Sequence, residues 1–115
     1  MKERRSLKRW HLVYYLRIFD QETESLVGHV MDITTSGVKV VSEWPVPTGK
    51  RFQLWMEIPR ETGEPHKVSF AAESLWSNED DNPEFFNTGL RLIDPSERTV
   101  NSIRKLIDQL RLEDG

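Results

Sequence analysis

The chain has 115 residues, of which 37% are hydrophobic and 30% charged, and its net charge is −3 at pH 7. That length suits one domain with a modest core, and the mixed composition argues against wholesale disorder. There is no cysteine, which removes disulfides, thiol catalysis, zinc–thiolate sites and iron–sulfur clusters.

Residues 1–11 are basic and carry no clear period, with Lys2, Arg4, Arg5, Lys8 and Arg9 set against the single acid Glu3. Such a terminus reads either as a solvated tail or, because arginine binds phosphate through a planar pair of donors, as a grip for an anion. Leu12 to Phe19 is rich in Val, Tyr, Ile and Phe and predicts a first strand. Asp20 to Ser25 is a polar turn, and Leu26 to Ile33 a second strand interrupted by Gly28. The stretch Asp32-Ile33-Thr34-Thr35-Ser36-Gly37 then puts a carboxylate and three hydroxyls into a short turn. Gly37 closes it, and its expected role is to adopt left-handed backbone angles. These polar groups either satisfy local backbone donors or face a polar ligand.

Val38 to Val41 predicts a third strand, ended by Trp44, Pro45, Pro47 and Gly49. Phe52, Leu54, Met56 and Ile58 alternate with Gln53, Trp55 and Glu57, the cleanest period-2 pattern in the chain. A loop is expected over Pro59–Pro65, a fifth strand over Val68–Trp76, an acidic loop over Asn78–Pro83 and a sixth strand over Phe85–Ile93. Trp44, Trp55 and Trp76 are expected to be core or half-buried. The end differs in kind. Asp94 reads as a helix N-cap, Pro95 as the first helical residue and Glu97 as the partner in a capping box. Val100, Ile103, Leu106, Ile107 and Leu110 then recur at helical spacing as one apolar stripe.

Six short strands and one terminal helix predict a mainly β fold, a small six-stranded antiparallel β-barrel with a C-terminal α-helix on an opening or flank. The expected organisation is a single domain: a basic arm over 1–11, the barrel over 12–93 and the helix over 94–112. No apolar run approaches the roughly 20 residues of a membrane helix, and the charged start lacks the apolar segment of a signal peptide. No membrane insertion and a cytoplasmic location are therefore expected.

Few features suggest chemistry. His11, His29 and His66 lack metal-ligand spacing, and Asn78 to Asn82 lacks the spaced acids and glycine of a calcium loop. Ser36 has no nucleophile-elbow context, and no glycine-rich phosphate loop occurs. Neither catalysis nor a metal is expected. The basic charge sits in the arm, and Glu79, Asp80, Asp81 and Glu84 make an acidic loop far along the chain. A small anion held at one place suits that distribution better than a nucleic acid polymer, which calls for basic residues spread across the strands.

Two of these stretches together resemble the PilZ domain family, bacterial receptors for the second messenger cyclic di-GMP. Arg5-Ser6-Leu7-Lys8-Arg9 matches the family's R-x-x-x-R. Asp32-Ile33-Thr34-Thr35-Ser36-Gly37 matches its [D/N]-x-S-x-x-G, except that Thr34 stands where serine is usual. Between Arg9 and Asp32 lie 22 residues, within the family's range. Thr88-Gly89-Leu90-Arg91-Leu92 looks like the family's closing strand, and the final helix matches as well, so the resemblance covers essentially the whole chain.

The resemblance implies a flexible arm that wraps over cyclic di-GMP against the barrel's outer face. Arg5 and Arg9, assisted by Arg4, would contact phosphates and guanine edges, and Trp10 is a candidate neighbour of the ligand. Asp32 would accept hydrogen bonds from guanine N–H groups, Thr34 would offer a hydroxyl, and Gly37 would allow close approach. Thr34 keeps the hydroxyl and adds a methyl group, from which a modest weakening is expected. The implied role is a receptor acting through an unidentified effector protein in motility, exopolysaccharide or biofilm control. The alternative is a PilZ-like protein–protein adaptor that does not bind nucleotide. Retention of Arg5, Arg9, Asp32 and Gly37 together favours the receptor.

Overall fold

The computed structural model describes residues 16–58 and 66–114, the side chains of 110–114 excepted. Within them the strands are β1 (Arg17–Asp20), β2 (Leu26–Ile33), β3 (Gly37–Ser42), β4 (Arg51–Ile58), β5 (His66–Glu79) and β6 (Phe86–Ile93). The helix α1 (Glu97–Asp114) follows. Each neighbouring pair is antiparallel, and the sheet closes in the order β1-β2-β3-β6-β5-β4. Closure gives each strand a paired neighbour on both sides over much of its length, which leaves little edge to recruit another chain.

Period-2 patterning builds the interior. On β4, Leu54, Met56 and Ile58 are buried and Phe52 packs against the core, while Gln53 is exposed and Trp55 and Glu57 are half-buried. Ile18, Val30, Val40 and Ala72 supply further fully buried positions. Ile103 and Leu106 of α1 belong to the same buried cluster, with Ile107 packed against it. Thr99 Oγ1 donates to the Ser69 carbonyl at 2.9 Å, and His66 Nε2 lies 3.3 Å from Ser102 Oγ, so the helix is fixed to the first half of β5.

Several expectations need correction. The helix cap is Ser96, whose Oγ accepts from the Thr99 amide at 3.1 Å and whose carbonyl accepts from Val100 at 2.9 Å. Asp94 instead takes a left-handed turn, with φ of 43°, and cannot cap a helix that begins at Glu97. β5 runs to Glu79, since Asn78 and Glu79 pair with Asn87 and Phe86, which shortens the acidic loop. Trp55 is half-buried as expected, its ring stacked on Phe19 at 4.3 Å. Trp44 is 77% exposed, stranded in the turn that leaves β3. Residues 12–15 of the first expected strand and the Pro59–Pro65 loop lie outside the described residues.

Candidate ligand site

The β2–β3 hairpin carries the site. A strand that alternates strictly would send Asp32 the same way as Val30, into the core. A β-bulge between Val30 and Asp32 inserts Met31 and reverses the phase. Val30 and Ile33 both stay buried, and Asp32 faces outward, opposite Lys39. Its Oδ1 accepts from the Ile33 amide at 2.9 Å, the one hydrogen bond its carboxylate takes among the described residues. A carboxylate so exposed and so little engaged is an acceptor for paired N–H donors.

Thr34 organises the turn. Its Oγ1 accepts from the amides of Ser36, at 3.2 Å, and Gly37, at 3.1 Å, and lies 3.2 Å from Ser36 Oγ. The Thr34 amide donates to the Gly37 carbonyl at 2.8 Å, and the Ser36 carbonyl accepts from Leu92 at 2.9 Å, tying the turn to β6. Gly37 is not in the left-handed region, which corrects the reason given for it above. A Cβ there would lie 3.0 Å from the Leu90 carbonyl oxygen, so its small size permits a close approach of β3 to its neighbour β6.

Cross-strand register extends the site beyond the hairpin. Asp32 pairs with Lys39, Lys39 with Gly89, and Gly89 with Trp76, one outward row across β2, β3, β6 and β5. The neighbouring outward row is Gly37, Arg91, Glu73 and Arg51, in which Arg91 meets Glu73 at 2.5 Å. Asp32, Thr34 and Gly37 are thus brought together, with Lys39 and Arg91 as the nearest cations by register. Arg4, Arg5 and Arg9 lie outside the described residues. No motif marked Lys39, the closing-strand match carried Arg91 without a site role, and Trp76, expected to be core or half-buried, is 39% exposed; pairing alone delivers all three to this face.

Elsewhere, burial and then the Arg17 guanidinium hold the His29 ring below the usual imidazole range, opposed by Glu43. Among the described residues no three His, Asp or Glu side chains gather as a metal site, and no helix is long and apolar enough to cross a membrane.

The PilZ domain family model matches residues 3–109. No curated protein matches the chain at the level of sequence. Among solved structures, the Bacillus subtilis inhibitor of motility (MotI/DgrA) is similar at 17% identity and a TM-score of 0.70, over 84% of this chain and 46% of that one. The PilZ domain of Escherichia coli YcgR with c-di-GMP is similar at 18% identity and a TM-score of 0.65, over 86% of this chain and 82% of that one. The Borreliella burgdorferi PlzA protein in complex with c-di-GMP follows at 12% identity and 0.53, over 93% of this chain and 48% of that one. This chain spans about half the length of MotI and of PlzA. At these identities the likeness is one of fold.

Proposed function

The chain belongs to the PilZ domain family, and from that premise we propose that it is a receptor for cyclic di-GMP, passing the level of this second messenger to an effector protein. The observation that carries the reading is the outward Asp32 carboxylate, turned by a bulge onto the barrel surface and holding one hydrogen bond among the described residues. Held beside Thr34 and Gly37, it offers an acceptor for the N1–H and 2-amino group of a guanine. Arg5 and Arg9, with Arg4 assisting, supply the cations for the phosphates. Thr34 and Gly37 shape a turn that a ligand can approach closely. Two solved structures sharing the fold were determined with cyclic di-GMP, which supports the same ligand class.

The reading places the protein's work in the cytoplasm, where its effector would belong to motility, exopolysaccharide or biofilm control. Motility is favoured by the likeness to an inhibitor of motility.

The test is a calorimetric titration of cyclic di-GMP, at fixed salt, into the wild-type chain and its Arg9→Ala and Asp32→Ala variants. Charge-assisted hydrogen bonds contribute roughly 1.5–3 kcal/mol, so each variant should bind about tenfold to a hundredfold more weakly. No saturable binding to the wild type, by calorimetry and by equilibrium dialysis, would overturn the receptor and leave the adaptor.

A further inference from the structure

A groove of about 500 Å³ lies on β2 and β3 beside the loop that joins β5 to β6. Val27, Val41 and Phe85 give it an apolar lining, and Leu26 and Trp44 stand at its far end. Leu26 is six residues from Asp32 along β2, roughly 20 Å at the rise of a strand. Leu26 is 49% and Trp44 77% exposed, two of the four most exposed large hydrophobic residues among those described. The charged part of the lining is Glu43 and Asp80, and among the described residues no lysine or arginine lines the groove. Asp81 and Glu84 follow Asp80 in the same loop. The ion pairs among the described residues, Arg17 with Glu57 and Arg91 with Glu73, use none of these carboxylates.

The walls are fixed in place. Ser42 is buried, and its hydroxyl donates to the Trp44 carbonyl at 2.6 Å, which pins the backbone from which the indole projects. Across the groove, Asp80 Oδ1 accepts from the Asn87 side-chain amide at 2.9 Å and Oδ2 from the Asn82 amide at 3.2 Å. The Asp80 amide donates to the Phe85 carbonyl at 2.9 Å, closing the loop on itself. An indole held out in water forgoes the burial that a side chain of its size gains in a core. Exposed apolar side chains gathered beside a polar rim mark surfaces that a partner covers.

From these observations we infer that the groove docks a basic segment of the effector protein. Its apolar anchor would rest on Leu26 and Trp44, and its lysines or arginines would face Glu43 and Asp80. A cation could also lie over the Trp44 ring. A second copy of this chain suits the groove poorly, because a self-complementary contact would set acidic wall against acidic wall. The chain's own basic residues are taken by the receptor reading to the Asp32 face, which leaves the groove to a partner. The inference rests on that reading in taking a protein as the effector, and it adds where and by what chemistry the effector is held.

The test uses a fluorescently labelled synthetic peptide of leucine and lysine, added to the full chain with and without cyclic di-GMP. Anisotropy measures binding, and amide NMR shifts locate it. Saturable binding is expected, with the shifts gathered on residues 26–29, 41–44 and 80–85. The same peptide with glutamate for every lysine should not bind. Trp44→Ser should bind the peptide about tenfold or more weakly, as loss of an aromatic anchor does, with little change in melting temperature. Glu43→Lys should weaken binding about threefold or more at low salt. Asp108→Lys, an equal change of charge at an exposed position on α1, should stay within about twofold. No saturable binding, unchanged affinity of Trp44→Ser, or equal weakening by Glu43→Lys and Asp108→Lys would each overturn the groove. Binding that emerges only once Arg5→Ala and Arg9→Ala are introduced would give the groove to the chain's own N-terminal residues. A dimer in sedimentation that the peptide dissociates would give it to a second copy, and either result overturns the partner. A chain that takes the peptide but not cyclic di-GMP would overturn the receptor reading and leave the groove standing. One that takes cyclic di-GMP but not the peptide would do the reverse.

Discussion

Thr34 is the side chain that shapes the β2–β3 turn. Two backbone amides, from Ser36 and Gly37, converge on its Oγ1. Losing that acceptor leaves both amides without their partner, so Thr34→Val should destabilise the chain by about 1–2 kcal/mol. Thr34→Ser should stay within about 0.5 kcal/mol of the wild type, because the oxygen remains. Urea unfolding of the two variants measures both effects, and equal stability would show that the hydroxyl is dispensable to the turn. The importance of this residue was legible in the sequence, since hydroxyls in short turns satisfy neighbouring amides. The role of Gly37 was legible only in part. A glycine was expected there for left-handed backbone angles, whereas the cause is the close Leu90 carbonyl oxygen, from a strand remote in sequence. Gly28 is similar, for a Cβ there would lie 2.3 Å from the Val41 carbonyl oxygen.

At the scale of elements, the helix start shows how a local rule can select the wrong residue. Asp94, Pro95 and Glu97 fit a capping pattern, yet Ser96 is the residue that caps the helix. Ser96 prevails because Asp94 must turn the chain sharply off β6, in a left-handed conformation, before α1 can begin. Ser96→Ala should therefore cost about 1 kcal/mol. Asp94→Gly should be neutral or slightly stabilising, because glycine adopts positive φ without steric cost. Thermal melts of the pair test the assignment: a larger loss from Asp94→Gly than from Ser96→Ala would return the cap to Asp94. The bulges at Met31 and Leu75 belong to this scale too, and no local signal announced them. Each is a compromise of pairing, letting two successive core contributions on one strand coexist with an outward polar or aromatic residue between them.

For the whole molecule, the decisive arrangement is that helix and barrel share one core. Ile103 is fully buried, in the same cluster as residues of all six strands or their immediate flanks. Ile103→Ala should cost about 2–5 kcal/mol, a large part of the roughly 5–15 kcal/mol that stabilises a domain. Circular dichroism at the helix band and tryptophan fluorescence should still report one coincident transition in urea. A helix signal lost well before the fluorescence change would mean that α1 is an appendage to a barrel stable without it.

By itself the sequence determined the bounds of β2, the alternation of β4, the apolar stripe of the helix, the six-strand plan and the paired motif that marks the family. All of these follow from short-range periodicity and turn chemistry, which a linear reading samples directly. Tertiary structure decided the rest: the outward turn of Asp32, the meeting of Trp76 with Gly89, the exposure of Trp44 and the choice of Ser96 as cap. These depend on which strand lies beside which, and on a one-residue phase shift at each bulge. Because side chains alternate with a period of two, a single inserted residue changes the face of everything beyond it. Pairing between distant segments sets that insertion, and in this barrel it also sets the row on which the candidate site is built.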